Sequence, residues 1–400
     1  MQTNEQIEAI EDWLITVALR NSTVATILDG LCQRLRAIDV PVDRALLAWN
    51  TLHPLIEAES IFWQHQAPVA HESFHHEQEE TDEWLQSPMR WLWKSGERQL
   101  RLRLDGAETD PRFPLLRELK DTGFSDYLIV MTPFELPAIE ENQGNTGVLV
   151  SWASRAPGGF TDVHVSTIEY LQKRLALAVR ATVQAQITRT VAETYLGRWA
   201  GTQVLNGQIR HGDGQSIEAV IFYSDMREST AHAEALGPDL YLRLLNRYFE
   251  ATAGAVEAEG GEILDFIGDA VLGIFPISAD GLPAAAAQAV AAAQNSVTRL
   301  QRLGLGDLAT GMPPMQAGIA LSVGRVMFGN IGIANRLTFS VIGQTVHAAA
   351  RMEALTKQLH QAVLLTEDVA CAAKADTDPV GEFLLAGFRE PRPLFALRLA

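Results

Sequence analysis

From residue 217 onward the chain reads strand, helix, strand, strand, helix, strand. That order predicts an α+β sandwich of the ferredoxin-like kind. The N-terminal half mixes strand-like and helical runs, and it ends in a strand, a turn and a long helix. This predicts an α/β domain over 1–185, a helical linker over 186–214 and the α+β domain over 215–400.

Residues 5–38 read as helical, because Ile7, Ile10, Leu14 and Val17 recur at steps of three and four. Apolar runs at 45–49, 127–132 and 147–152 read as strands, and patches at 83–94 and 113–121 as helices. Ala156-Pro157-Gly158-Gly159-Phe160 is a turn, after which Thr161 or Asp162 caps a helix over about 162–200. In that helix Leu171, Leu175, Val179, Val183, Ile187 and Val191 step by four. Each step drifts the stripe by about 40°. The first half is therefore expected to pack on its own domain, and the second half on another surface such as its mate in a dimer. The alternative is a long core helix of one domain. Asn206-Gly207 and His211-Gly212-Asp213-Gly214 mark a boundary near 200–215.

Beyond it come a strand at 218–224, helices over 230–258, strands at 262–267 and 270–276, and an alanine-rich helix at 283–303. Strands at 315–323 and 338–342, a helix at 344–359, and strands at 362–365 and 394–397 complete the chain. Gly324 and Gly329-Asn330 read as turns.

The 400 residues suffice for two or three domains. A formal charge of −17 argues against nucleic-acid binding, which needs a basic surface. A nucleotide substrate stays open, because Mg2+ screens phosphates locally. Cys32 and Cys371 are the only cysteines. They indicate neither a disulfide framework nor a zinc site, so a reducing cytoplasm is the expected location. The N-terminus MQTNEQIEAIEDW is polar and acidic, unlike a signal peptide, and no run of about eighteen apolar residues predicts a membrane span.

Two short runs carry the chemistry. Asp225 follows the apolar run 219–223 in YSDMREST, and Asp269 occupies a Gly-Asp turn between two apolar strands in FIGDAVLGIF. Carboxylates at strand ends are held rigidly, as divalent metal ions require when they sit against a nucleoside triphosphate. A strand-end aspartate standing alone is more often a cap or turn residue. Met226-Arg227-Glu228-Ser229-Thr230 then opens a helix whose backbone N–H groups suit phosphate oxygens. His347 and Arg351 lie four apart, on one helix face, in FSVIGQTVHAAARME.

These motifs, over roughly 215–365, resemble the catalytic domain of class III nucleotidyl cyclases. The resemblance implies conversion of ATP or GTP to the 3′,5′-cyclic monophosphate and pyrophosphate in intracellular signalling. It implies two ions of Mg2+ or Mn2+ per site, held by Asp225 and Asp269 with Met226 beside them. It further implies phosphate binding by Arg227, Glu228, Ser229 and Thr230, charge stabilisation by Arg351, and a homodimer with active sites at its interface. His347 replaces the family's usual ribose-positioning asparagine, and Glu228-Ser229 replaces Gly-Phe ahead of Thr230. Base selection falls to Asp265, at the adenylyl enzymes' lysine position, and to Thr338. An ionised aspartate only accepts hydrogen bonds, which leans toward guanine. A catalytically weak or inactive regulator of the same fold is the alternative. Residues 20–185 resemble a GAF-like sensor domain through their layout and the segment PGGFTDVHVSTIEYLQ, with a ligand that the sequence leaves unnamed.

His65, His71, His75 and His76 crowd a polar stretch that reads as a solvated loop, since it lacks regular metal-ligand spacing. Trp84, Trp91 and Trp93 read as helix-face packing, with a sensor pocket as the alternative.

Overall fold

The structure is a computed structural model and describes residues 4–20, 22–106, 112–134, 146–210, 212, 214–306, 313–333 and 335–399. His211 and Asp213 of the boundary signal lie outside the described residues. The chain divides into two compact units, Met1–Val191 and Ala192–Ala400. Among the described residues no helix is long and apolar enough to cross a membrane.

The first unit opens with α1 (Asn4–Ala18) and α2 (Val24–Ala37). The single expected helix breaks here, because Thr23 takes an extended backbone and its hydroxyl accepts from the Thr26 N–H as an N-cap. Strands β1 (Arg44–Asn50), β2 (Ile56–Gln64) and β3 (Ala70–His75) follow, then helices α3 (Asp82–Leu85) and α4 (Pro88–Ser95). Next come β4 (Gln99–Arg103), α5 (Pro114–Asp121), β5 (Asp126–Pro133), β6 (Gly147–Ser154) and α6 (Asp162–Leu196). The strands form one antiparallel sheet in the order β3-β2-β1-β6-β5-β4.

Alternation along β1 and β6 sends Ala45, Leu47, Val148 and Val150 into a core shared with α1, α2 and α6. Leu149 and Ala153 face the opposite cluster, with Met89 of α4 and Leu116 of α5. Both faces are covered, so β6 is buried at every position.

The apolar stripe of α6 is absorbed further than expected. Leu171, Leu175, Val179, Val183 and Ile187 all belong to the first unit's own core, while Val191 is exposed. His71 and His75 lie on the exposed edge strand β3 and not in a loop. His71 stacks on Trp49 and reaches Glu59 Oε1 at 3.1 Å. Trp84, Trp91 and Trp93 pack against the second cluster as helix-face residues.

In the second unit α7 (Arg198–Leu205) follows a break at Gly197, whose φ of 83° ends the expected continuous helix. Then come β7 (Gly214–Met226), a helical stretch α8 (Ser229–Ala258) broken at Gly237-Pro238, β8 (Glu262–Ile267), β9 (Ala270–Pro276) and α9 (Gly281–Gly306). β10 (Ala317–Ile333), β11 (Arg336–Ile342), α10 (Gln344–Gln358), β12 (Val363–Thr366), α11 (Glu367–Ala373), β13 (Thr377–Phe383) and β14 (Arg392–Leu397) complete it. The sheet order is β13-β14-β12-β10-β7-β9-β8, with β11 paired to β10. Its middle, β10-β7-β9-β8, is the antiparallel arrangement expected of a βαββαβ unit.

Val220 and Phe222 of β7 face α8 and α9. Ala219 and Ile221 face α7, β11 and α10 through Ala200, Phe339 and Ala349. Gly324 and Gly329-Asn330 are strand residues and not turns. β10 continues through them because each has a partner across β7 or β11.

Candidate active site

Asp225 is the penultimate residue of β7, the central strand. Its backbone pairs with Ala270 on one side and Gly318 on the other, so its position is fixed by two ladders. Asp269 sits in the two-residue turn between Ile267 and Ala270. Gly268 supplies φ of 66° at the turn's first central position, which glycine tolerates. Because Ala270 faces Asp225, the turn delivers Asp269 to the same place, and the two carboxyls are neighbours.

The consequence is electrostatic. The Asp225 carboxyl is raised from 3.8 to about 6, first by burial and then by the charge of Asp269. The Met226 N–H and the Arg227 charge pull the other way. Burial and the Asp269 charge also raise the phenol of Tyr241, with Ser229 pulling the other way. The arrangement is a pair of hard oxygen donors of the kind that suits a divalent cation. Among the described residues no group of three or more His, Cys, Asp or Glu side chains surrounds one point. Any ion here therefore takes its remaining ligands from backbone oxygen, water or a bound phosphate, as Mg2+ commonly does.

Arg227 is held by contacts within the unit. Its N–H donates to Gln316 O at 2.8 Å, and its guanidinium turns inward to Thr356 Oγ1 and to Glu353 Oε1 at 3.5 Å. Glu228 caps α8 in the left-handed region, with φ of 59° and ψ of 24°. Ser229 and Thr230 form the first turn of α8.

The remaining candidates form a second group. Asp265 lies on β8 opposite Leu272, just after a ladder irregularity. Thr338 lies on β11 opposite Ile331. His347 and Arg351 occupy the exposed face of α10, while Ala348, Ala349, Met352, Glu353 and Thr356 are buried. His347 and Arg351 thus lie on the face of α10 away from Glu353, the residue of that helix whose carboxyl feels the Asp225 charge. The exposed face of the β10–β11 hairpin carries several apolar residues among polar ones. Met327 pairs with Ile342, Ile331 with Thr338 and Ile333 with Arg336, and all four of these hydrophobic residues are exposed, Ile333 by 70%.

Glu353 is the functional-region residue that the sequence reading passed over. It is 6% exposed, and burial and then the Asp225 charge raise its carboxyl to about 7, against the pull of Arg227. A signal was present: Glu353 follows Ala349 by four, on the helix face that ought to be apolar.

Residues 214–396 match the family model described as the adenylate and guanylate cyclase catalytic domain. An adenylate cyclase of Anabaena cylindrica is 32% identical over 162 residues, which are 40% of this chain and 32% of that one. The terminal-differentiation-specific adenylate cyclase of Dictyostelium discoideum is 30% identical over 39% of this chain and 7% of its own length. The chain thus spans about a third or less of the length of these two relatives. Among solved structures, a bacterial light-regulated adenylyl cyclase is 26% identical with a TM-score of 0.47, over 57% of this chain and 64% of that one.

Proposed function

With residues 214–396 belonging to the adenylate and guanylate cyclase catalytic-domain family, we propose that the chain converts a purine nucleoside triphosphate to its 3′,5′-cyclic monophosphate and pyrophosphate. The observation that carries this reading is the contact of Asp225 with Asp269 at the ends of paired strands. Two such carboxylates suit two ions of Mg2+ or Mn2+, which when bound supply Lewis acidity toward the triphosphate and the ribose 3′-hydroxyl. The 3′-oxygen forms a bond to the α-phosphorus as its proton departs, and the bond to the pyrophosphate oxygen breaks. Charge grows on the phosphoryl oxygens during this step, where a guanidinium stabilises it. Arg351 is the residue we assign to that role. His347 orients the ribose, Ser229 and Thr230 offer the first turn of α8 to phosphate, and Asp265 with Thr338 reads the base.

The placement of His347 and Arg351 on the exposed face of α10, away from Glu353, supports a site completed by a second copy of the chain, in a twofold homodimer. The exposed apolar residues around Thr338 form a surface that a second copy would cover. The first unit we read as a GAF-like sensor, supported by its six-stranded antiparallel sheet with helices on both faces. Its ligand is unnamed, and the cytoplasm is the proposed location.

One observation favours a second reading, a weak or inactive regulator. Glu228 places a charged side chain and a left-handed backbone at the phosphate loop. Incubating the purified protein with each of the four nucleoside triphosphates plus Mg2+ or Mn2+, and identifying products by mass, separates the two. Cyclic nucleotide formation is expected, and its absence with every nucleotide and both metals favours the regulator.

A further inference from the structure

Behind the carboxylate pair lies a small polar cluster that the proposed reaction does not use. Arg227 projects from the residue after β7, two positions beyond Asp225. Its Nη1 lies 3.5 Å from Glu353 Oε1, and its Nη2 donates to Thr356 Oγ1. The Thr356 hydroxyl donates to the Glu353 carbonyl and lies 3.4 Å from Oε1. Glu353 and Thr356 are both buried on the inner face of α10. Space for them comes from Gly318, the cross-strand neighbour of Asp225. A Cβ there would collide with Glu353 Oε1, Thr356 Oγ1 and Arg227 Nη2.

Three further features make the cluster directional. The Arg227 N–H is already committed to Gln316, so the backbone at this point is tied to the strand that carries Gly318. The guanidinium is a planar fork, so it holds its acceptors in orientation and not only in distance. The helix it grips carries His347 and Arg351 on its opposite, exposed face.

We infer that Arg227, Glu353 and Thr356 form a buried strut that locks the end of the β7 metal strand to α10, with Gly318 as the gap through which it passes. Arg227 is thereby a positioning residue and not an anion ligand. Any loosening of the strut lets α10 turn or shift relative to Asp225. The exposed residues of that helix then lose their fixed relation to the carboxylate end of the sheet. The strut stands on contacts within this unit, whereas its catalytic consequence rests on the cyclase reading.

The test compares Arg227→Ala, Glu353→Ala, their double variant, Glu353→Gln and the milder Thr356→Val in the full chain. Amide hydrogen exchange is followed by mass spectrometry, and kcat and KM are measured with the active nucleotide. Either alanine variant is expected to speed exchange in 344–358 at least tenfold, with exchange in 281–303 unchanged. The double variant should exchange no faster than the worse single, as members of one unit do. Turnover should fall at least tenfold in both alanine variants while KM moves less than threefold, with part of the loss restored by Glu353→Gln. Thr356→Val should give a smaller change in the same direction, and it serves where the alanine variants do not fold. An Arg227→Ala variant with KM raised tenfold or more, beside a Glu353→Ala variant that is normal in both assays, would overturn the strut and return Arg227 to the phosphate. Unchanged exchange in α10 in every variant would overturn it as well. Should the wild-type protein make no cyclic nucleotide, exchange alone decides the strut, and the product assay alone rejects the reaction.

Discussion

The carboxyl of Asp225 lies beside that of Asp269, because the pairing of β7 with β9 sets Asp225 opposite Ala270, the residue that follows the Gly268-Asp269 turn. A carboxylate that is partly buried beside a second acidic group is disfavoured in its charged form. Charge repulsion and burial therefore act against the folded, metal-free protein at neutral pH, and a divalent cation relieves both.

A pH dependence follows from that relation. The Asp225 carboxyl is raised from 3.8 to about 6. The folded state therefore binds more protons than the unfolded chain between those values, and stability declines as pH rises through about 6. Asp225→Asn removes the titrating group. In metal-free buffer at pH 7.5 it should be more stable than wild type by roughly 1 kcal/mol, after allowance for solvent screening of a half-buried carboxyl. That corresponds to about 2–4 °C in Tm for a unit of this size. The gain should vanish near pH 4, and saturating Mn2+ should reverse it by stabilising wild type alone. Calorimetry across pH with and without Mn2+ checks this. A variant less stable than wild type at pH 7.5 without metal would contradict the paired-carboxylate description.

Glu228 bears a different cost. Its φ of 59° lies where a side chain crowds its own backbone, at about 1–2 kcal/mol. Glu228→Gly should raise Tm by a few degrees, because glycine adopts that backbone freely. The same change brings the loop closer to phosphate, so KM for the nucleoside triphosphate should fall as well. A lower Tm in thermal unfolding would show that Glu228 makes a compensating contact.

A composite site makes a further demand. Arg351→Ala and Asp225→Ala chains should each be inactive as homodimers, with turnover reduced by at least a hundredfold. Mixed and re-equilibrated, they should regain up to about a quarter of wild-type activity. A random mixture is half heterodimer, and each heterodimer carries one intact site of two. The expected readout is cyclic nucleotide formation by differently tagged chains purified as a heterodimer. A verified heterodimer with no activity would place Asp225 and Arg351 in the same chain's site.

The β-α-β-β-α-β order of the second unit was legible because those elements announced themselves locally. Apolar strands ended at Asp225 and at the Asp269 turn, and the alanine-rich helix stood out by its composition. Elements held by long-range pairing were not. β3 is exposed at every position, so it carries no apolar alternation and exists because β2 pairs with it. Glycines 324, 329 and 332 look like breaks, yet β10 runs through all three because β7 or β11 supplies the other half of its ladder. α7 hid inside an apparently continuous helix. The aromatic contacts of Trp199 with Phe328 and Phe339, at 4.7 and 5.5 Å between ring centres, hold it against the sheet, and they join residues more than 120 positions apart. At the site, the motifs put Asp225 and Asp269 at neighbouring strand ends, as the fold does, and they offer Arg227 to phosphate. The partners its guanidinium has in the structure, Glu353 and Thr356, are more than 120 positions away on the inner face of α10. A basic residue in a phosphate-loop pattern gives no local sign that it points inward.

Base choice is the prediction with the sharpest chemical content. Asp265 stands on β8, partly exposed, one residue past the ladder irregularity that follows Ile263. Its carboxylate, when ionised, only accepts hydrogen bonds. Guanine offers it two donors, N1–H and N2–H, and Thr338 can donate to guanine O6. Adenine N1 is an acceptor, and setting two acceptors together in a desolvated pocket costs ~1–3 kcal/mol. Adenine can recover part of this by turning its N6 amino group toward Asp265, which limits the discrimination. GTP should therefore be used at least as well as ATP, with a ratio of kcat/KM up to about tenfold, since each 1.4 kcal/mol is a factor of ten. Asp265→Lys replaces an acceptor with a donor and should reverse the ratio in favour of ATP, with turnover on the preferred nucleotide largely retained. Competition assays with both nucleotides present, scored by the masses of the cyclic products, measure the ratio directly. A wild-type protein that forms cyclic AMP efficiently and ignores GTP would remove Asp265 from base reading while leaving the carboxylate pair and its chemistry in place.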